Sequence, residues 1–337
     1  MSVWYQEKQN DCVVSTRIRL ARNLNDIPFP SFMSEEQRKD LCERVRKAVE
    51  ESNTPFAKKL KYIEMKDVPE NERYAMVERH IVSRAFVADD RTRALILSDD
   101  ETVSIMVGEE DHIRIQVLLS GLQPEAAYDI AEQLDTLLCN RLHFAFDERL
   151  GFLTECPTNL GTGLRASVML HLPVMESRGE ISDLADSVGK IGFTVRGLYG
   201  EGTKSSASFY QISNQITLGI SEKNALDNLK IITAQLMEKE RKERESLNKL
   251  QVEDLCMRAY GILQNARLLS SEEMMQLLSR IQLGEDLGIL KDIPSVVQLL
   301  VEGQPYMLMR RFGQMSPDER DIYRANMIRQ AFSTNNL

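Results

Sequence analysis

The chain has 337 residues, enough for two domains and a sizeable core without disulfides or a structural metal. Its 42 Lys and Arg are outnumbered by 51 Asp and Glu, and the formal charge of −9 argues against nucleic acid or an anionic membrane as partner, while leaving room for a local basic pocket. The five cysteines are odd in number and lack C-x-x-C spacing, the four histidines are scattered, and no stretch approaches the ~20 apolar residues of a membrane helix. A disulfide framework, a zinc ribbon and a membrane span are therefore not expected. The N-terminus lacks the apolar segment of a signal peptide, and a reducing cytoplasm is the simplest compartment.

The first two thirds mix strands and helices. Ser34 and Gln37 form a capping-box signature ahead of a helix whose Leu41, Val45, Ala48 and Val49 share a face. Segments 93–98, 103–108 and 112–119 read as strands rich in Val, Ile and Leu. Residues 124–142 read as a helix opened by Pro124, with Ile130, Leu134, Leu137 and Leu138 on one side. Strands are expected again around 151–154, 166–172, 192–198 and 209–212. Near residue 221 the texture becomes helical and rich in Leu and Met. The charged run Glu238–Glu245 reads as a solvated helix face laced with i,i+4 pairs. Further helices are expected around 253–266, 271–282 and 317–332. The layout is an α+β domain over 11–240 followed by an all-helical domain over 241–337.

Five arginines stand in loop-like or strand-end settings: Arg17 and Arg19 in STRIRLAR, Arg114 in EEDHIRIQ, Arg165 in GTGLRASVM and Arg196 in VRGLYGEG. Guanidinium forks bind phosphate oxygens bidentately, and several could grip a triphosphate without a P-loop, which is absent. Any one of them alone is more simply a solvated surface arginine. TECPTNLGTG (154–163) is more specific: Cys156 precedes a proline and then a glycine-punctuated loop. A thiol among arginines is expected to be thiolate-rich, whereas Cys42, Cys139 and Cys256 fit a buried, inert role and Cys12 fits packing. Glu109, Glu110 and Asp111 precede Arg114, and Glu201 lies between glycines. Carboxylates can clamp a planar guanidinium in line with a phosphorus and accept its proton. A solvated turn and a mobile surface loop are the bland alternatives.

Together these segments resemble the phosphagen (guanidino) kinase family. STRIRLAR (15–22), EEDHIRIQ (109–116), CPTNLGTGLRASV (156–168) and RGLYGEG (196–202) occur in the family's order, and the third is highly specific. Within the family the chain looks most like the bacterial protein-arginine kinases. The resemblance implies an antiparallel sheet flanked by helices, and Mg-ATP as phosphoryl donor with Mg²⁺ bridging phosphate oxygens. It implies a nucleotide site of Ser15, Thr16, Arg17, Ile18, Arg19, His80, Arg114, Arg165, Ala166, Ser167, Val168, Met169, Arg196, Gly197, Leu198, Tyr199, Gly200 and Glu201. It makes Glu110, Cys156 and Glu201 the groups that clamp, orient and deprotonate a guanidinium, with no metal bound by the protein itself.

Small-molecule relatives carry a further N-terminal helical domain, and a first motif at Ser15 leaves no room for it, which favours arginine on a protein as acceptor. The resemblance also implies a homodimer, protein substrates including a heat-shock transcription repressor, delivery to a Clp unfoldase and protease, and a zinc-finger activator. RDIYRA (320–325) follows a Ser316–Glu319 capping box and is, by itself, a salt-bridged surface helix. By resemblance Arg320, Asp321, Arg324 and Ala325 form a phosphoarginine-binding regulatory site. A kinase for free arginine or another small guanidine, and a non-catalytic phosphoarginine adaptor, are the alternatives.

Overall fold

The computed structural model describes residues 3–7, 12–52, 54, 57–198, 205 and 207–333. The strands are β1 (Val13–Arg22), β2 (Leu60–Glu64), β3 (Ala94–Ser98), β4 (Val103–Val107), β5 (Ile113–Ser120), β6 (Phe146–Asp147), β7 (Gly151–Phe152), β8 (Leu164–His171), β9 (Phe193–Gly197) and β10 (Phe209–Asn214). The α-helices of the mixed part are α1 (Glu35–Glu50), α2 (Glu70–Glu78), α3 (Arg84–Ala88), α4 (Pro124–Cys139), α5 (Pro173–Ser177) and α6 (Ile181–Gly189). From residue 222 onward the described elements are all helices: α7 (Glu222–Glu245), α8 (Lys249–Asn265), α9 (Ser271–Asp286), α10 (Val296–Glu302), α11 (Pro305–Phe312) and α12 (Pro317–Ser333).

The chain divides into two compact units. The first holds residues 1–4, 15–167 and 213–230. Its sheet runs β2-β3-β4-β5-β1-β8, and the registered pairs from β2 through β1 are antiparallel. Ile96 faces Ile105, and Ile105 faces Ile115, three side chains fully removed from solvent. Each such burial contributes roughly 1.5–3 kcal/mol. The capping box forms as expected: Ser34 Oγ accepts from Gln37 N (3.2 Å) and Gln37 Oε1 accepts from Ser34 N (2.8 Å). Helix α4 packs on β5, with Thr16 Oγ1 accepting from Gln123 N at the helix entry (2.9 Å).

The second unit holds residues 5–14, 168–212 and 231–337. Strand β8 is followed there by β10 and β9, while α8 packs on α9 and α12. The expected solvated face over 238–245 holds for Glu238, Lys239, Arg241, Lys242 and Glu245, with Lys242 paired to Glu238 at i,i+4, and is corrected at two positions, Glu240 and Arg244. Glu240 is wholly buried, accepts from Val174 N and Met175 N, and bonds Arg244 Nε at 3.0 Å. Arg244 also pairs with Asp286 at 2.9 Å, so this stretch ties three helices together from inside.

Two other expectations give way. Arg17 and Arg19 do not lie in a loop or at a strand end: Ser15–Arg19 is mid-strand in β1, and the strand's apolar alternation carries through it. Cys139 is exposed, at the end of α4, whereas Cys12, Cys42 and Cys256 are buried. Burial pushes the Cys42 and Cys256 thiols up to about 12 and about 11.

Candidate active site

The site grows from the two-residue alternation of β1. Arg17 and Arg19 share one face of the strand, while Ile18 and Leu20 go to the core on the other. Strand β5 brings Arg114 opposite Ala21 on one side of β1, and β8 brings Arg165 from the other. Burial and like charge act on the two arginines of β1. Arg17 is pushed down to about 10 by burial, then by Arg114 and Arg165. Arg19 is held well below its ordinary value by burial and by Arg17, Arg114 and Arg165, against a smaller opposing pull from Glu109. Its Nε is buried without a hydrogen-bond partner among the described residues. Guanidinium groups repelling one another on one sheet face form a receptor for a polyanion.

The acidic wall comes from the β4–β5 turn. Arg114 holds both glutamates there, Glu109 at 2.6 Å and Glu110 at 2.9 Å. Ser83 Oγ, which caps α3, also donates to Glu109. Asp111 is buried, which pushes its carboxyl up, and accepts from Asn23 Nδ2 (2.7 Å) and from Glu155 N (2.9 Å). The carboxylate one residue from Glu110 thus pins the residue before Cys156.

The Cys156 loop is set by backbone contact. Cys156 leads into a short 3₁₀ turn, Pro157–Asn159, and its Sγ lies 3.0 Å from Thr158 Oγ1. Gly161 has φ +108, and a Cβ there would overlap the Thr217 carbonyl oxygen. Gly163 has φ +62, with room for nothing larger before Ala21 O and Arg22 Nη1. Thr217 Oγ1 donates to the carbonyls of Thr158 (3.0 Å) and Leu160 (2.7 Å), and Asn214 Oδ1 accepts from Ala166 N (2.8 Å).

One small cavity, about 140 Å³, gathers Arg19, Arg114 and Arg165 with Glu110, Cys156, Thr158 and Asn159. It is the size of a transferring group, not of a whole nucleotide. A larger cavity in the second unit, about 780 Å³, is lined by Arg244 and its own ion-pair partner Asp286 together with both signs of surface charge. The smaller one has the chemistry: cationic forks for phosphate oxygens beside a carboxylate and a thiol for a cation.

Other expected residues lie as follows. His80 takes the left-handed conformation (φ +62) that ends α2, stacks near Trp4 at 5.7 Å, and is pushed down to about 3 by burial and by Arg17. Thr16 is committed to Gly121 O (2.6 Å), and Ser15 is buried in β1. Ala166, Ser167, Val168 and Met169 are buried strand residues of β8, with Ser167 Oγ donating to Arg17 O. Arg196, Gly197 and Leu198 belong to the second unit, where Arg196 is exposed on β9. Tyr199, Gly200 and Glu201 lie outside the described residues. In the same unit Arg324 is buried, its Nε on Gly303 O and its Nη1 on Leu269 O and Asp321, beside buried Ala325, while Arg320 keeps part of its surface. Among the described residues no group of three or more His, Cys, Asp or Glu could hold a metal ion, and no helix is long and apolar enough to cross a membrane. Sequence reasoning missed Asn23, Asn214 and Thr217, single polar residues without a motif of their own.

Comparison with known proteins covers the site segments from β4 onward by family model, and β1 only through full-length relatives. Residues 40–243 match the ATP:guanido phosphotransferase C-terminal catalytic domain, and residues 249–336 match the protein-arginine kinase McsB C-terminal domain. The chain is 46% identical to the protein-arginine kinase of Caldanaerobacter subterraneus subsp. tengcongensis, over 94% of its length and 96% of that protein's. It is 44% identical to the protein-arginine kinase of Halothermothrix orenii, over 96% and 94%. Among solved structures, the duplicated taurocyamine kinase from Schistosoma mansoni with bound transition-state-analogue components aligns with TM-score 0.63 at 25% identity. That alignment covers 78% of this chain and 38% of the duplicated one.

Proposed function

The chain belongs to the ATP:guanido phosphotransferases and, within them, to the protein-arginine kinases, and from that premise we propose that it transfers the γ-phosphoryl group of ATP to arginine side chains of proteins. The observation that carries the reading is the shared cavity, with three arginines beside Glu110 and Cys156. Arg19, Arg114 and Arg165, backed by Arg17, neutralise the phosphate oxygens of the donor. His80 and the β8 segment Arg165–Met169 are proposed to shape the nucleotide site, with Ser15, the backbone of Thr16 and Ile18, and Arg196–Glu201 as its further edges. Mg²⁺ would come with the ATP phosphates and would screen their charge. Glu110 clamps the acceptor guanidinium and takes its proton, Cys156 orients it, and Glu201 completes the clamp. A nitrogen–phosphorus bond forms as the γ-phosphorus–oxygen bond breaks, and ADP leaves with the oxygen. Positioning and charge neutralisation carry most of the rate.

The catalytic part is proposed to span 11–240, and the helical part, 241–337, to dimerise and regulate. Arg320, Asp321, Arg324 and Ala325 are proposed as a phosphoarginine-binding regulatory site there, a reading supported by the Arg324–Asp321 pair that joins two of them. Arginine phosphorylation in the cytoplasm would mark proteins for a Clp unfoldase and protease and inactivate a heat-shock repressor, with a zinc-finger protein as activator. The test is incubation with Mg-ATP and an unfolded arginine-containing protein. Acid-labile phosphate on arginine is expected, and Cys156→Ala or Glu110→Ala abolishes it. Phosphate on serine or threonine instead would overturn the reading. A kinase for a free guanidine is the second reading, since the solved neighbours include a taurocyamine kinase and a lombricine kinase. Full competition by excess free arginine would favour it.

A further inference from the structure

Phe32 is 78% exposed, the most exposed of the large apolar side chains among the described residues. A lone exposed apolar residue is ordinary. This one differs in how firmly its loop is held and in where it is held. The segment 28–33 is fixed at three points, Pro28, Pro30 and Ser31, none of which hides Phe32. Leu24 N donates to His112 Nδ1 (2.9 Å), so the ring proton sits on Nε2, which donates to Pro28 O (2.8 Å). The buried Arg38 guanidinium donates to Pro30 O. Ser31 N donates to Glu155 Oε2 (3.2 Å). A short 3₁₀ turn, Pro30–Phe32, then presents the ring to solvent, next to half-buried Phe29 and exposed Pro28.

The third anchor gives the location. Glu155 is the neighbour of Cys156, which lines the cavity, and its own N–H is pinned by Asp111, the neighbour of Glu110. The loop bearing Phe32 is thereby clipped to the acceptor side of the site, not to the arginines that suit phosphate. Rigid aromatic side chains make contacts at low entropic cost. An arginine that enters such a cavity from a polypeptide must carry its flanking residues across whatever borders the entrance.

We propose that Phe32, on this clamped loop, is a docking ledge for the polypeptide flanking the acceptor arginine, and that it favours an apolar neighbour beside that arginine. The proposal deepens the protein-arginine kinase reading and rests on it. The ledge acts on substrate binding: Phe32 touches neither the phosphates nor the reacting nitrogen. A free guanidine has nothing to lay on it, so the ledge also separates the two acceptor classes.

The test uses the full chain with two end-blocked peptides, one with arginine flanked by glycines and one with leucine or phenylalanine beside it. Phe32→Ala should raise KM for the apolar-flanked peptide about tenfold, with kcat unchanged, and leave the glycine-flanked peptide alone. Phe32→Glu should do the same. The ring is solvent-exposed, so both variants should keep the parent's melting temperature. Equal effects on the two peptides, or none on either, overturn the ledge. So does a change of oligomeric state by light scattering with the peptide preference intact, which would assign Phe32 to a second copy of the chain. Turnover of either peptide by the unsubstituted enzyme supports the kinase reading whatever Phe32 does; absence of any turnover sinks both.

Discussion

Arg114 spends its two ends on two glutamates, 2.6 Å and 2.9 Å away, and still adds to the charge felt by Arg17 and Arg19. One side chain thus sets the geometry of the acid wall and the potential of the phosphate wall. The two roles separate by mutation. Glu110→Gln keeps shape and removes the proton acceptor, so kcat should fall by about 10²–10⁴ with little change in ATP affinity. Arg19→Ala removes a phosphate fork and should raise KM for ATP at least tenfold. Steady-state kinetics with ATP varied at saturating protein substrate distinguish them. Equal KM changes in both variants would show that the walls are not distinct. The acid wall and Cys156 were legible in the sequence because EEDHIR and CPTNLGTG are contiguous. Asp111's clip on Glu155 was not, since its partner lies 44 residues on and a buried aspartate in a run of acids reads as solvated.

At the scale of elements, the loop 156–163 keeps its shape through carbonyls and N–H groups of its neighbours, which constrains its glycines unequally. Gly161→Ala must strain φ +108 and overlap Thr217 O, and should cost about 2–4 kcal/mol and most of the activity. Gly219→Ala, with φ +79 but nothing within 4 Å, carries the backbone strain alone and should cost about 1 kcal/mol. Urea titrations of the two variants give the difference; equal losses would mean that Thr217 moves aside freely. Long elements were readable from capping and periodicity: α1, α4 and α12 begin within a residue or two of where these signals put them. Helices α5 and α6, of five and nine residues, were not, being too short for a 3.6-residue pattern. The burial of Glu240 and Arg244 was hidden for another reason. An i,i+4 acid–base pair looks the same in sequence whether water or a neighbouring helix covers it.

For the whole molecule, three of four histidines are pushed down by burial: His80 to about 3, with His112 and His171 also lowered. Each is neutral in the fold and takes a proton in the unfolded chain near its ordinary value of 6.5. Stability therefore holds above about pH 6.5 and drains as pH falls toward the folded values, by about 1.4 kcal/mol per pH unit for each histidine. Urea midpoints at pH 7.5 and 5.5 should show this, and His171→Gln should flatten the slope. A pH-independent midpoint would mean that these rings keep ordinary affinities for protons. The arginine cluster, also disfavoured in its charged form, can be relieved by an anion instead of by pH. Tripolyphosphate cancels its repulsion and should raise the melting temperature far more than chloride of equal ionic strength, the gain being about 2.7 kcal/mol at a hundred times its Kd. Arg19→Ala should blunt that gain.

The same crowding of Arg17, Arg19, Arg114 and Arg165 has a consequence for the protein's lifetime. A fold that is firmest with nucleotide on it is loosest when nucleotide is scarce, and proteolysis follows the open population. Loss of an anion from these arginines should therefore show as faster cutting by an added protease, in proportion to the rise in the open population.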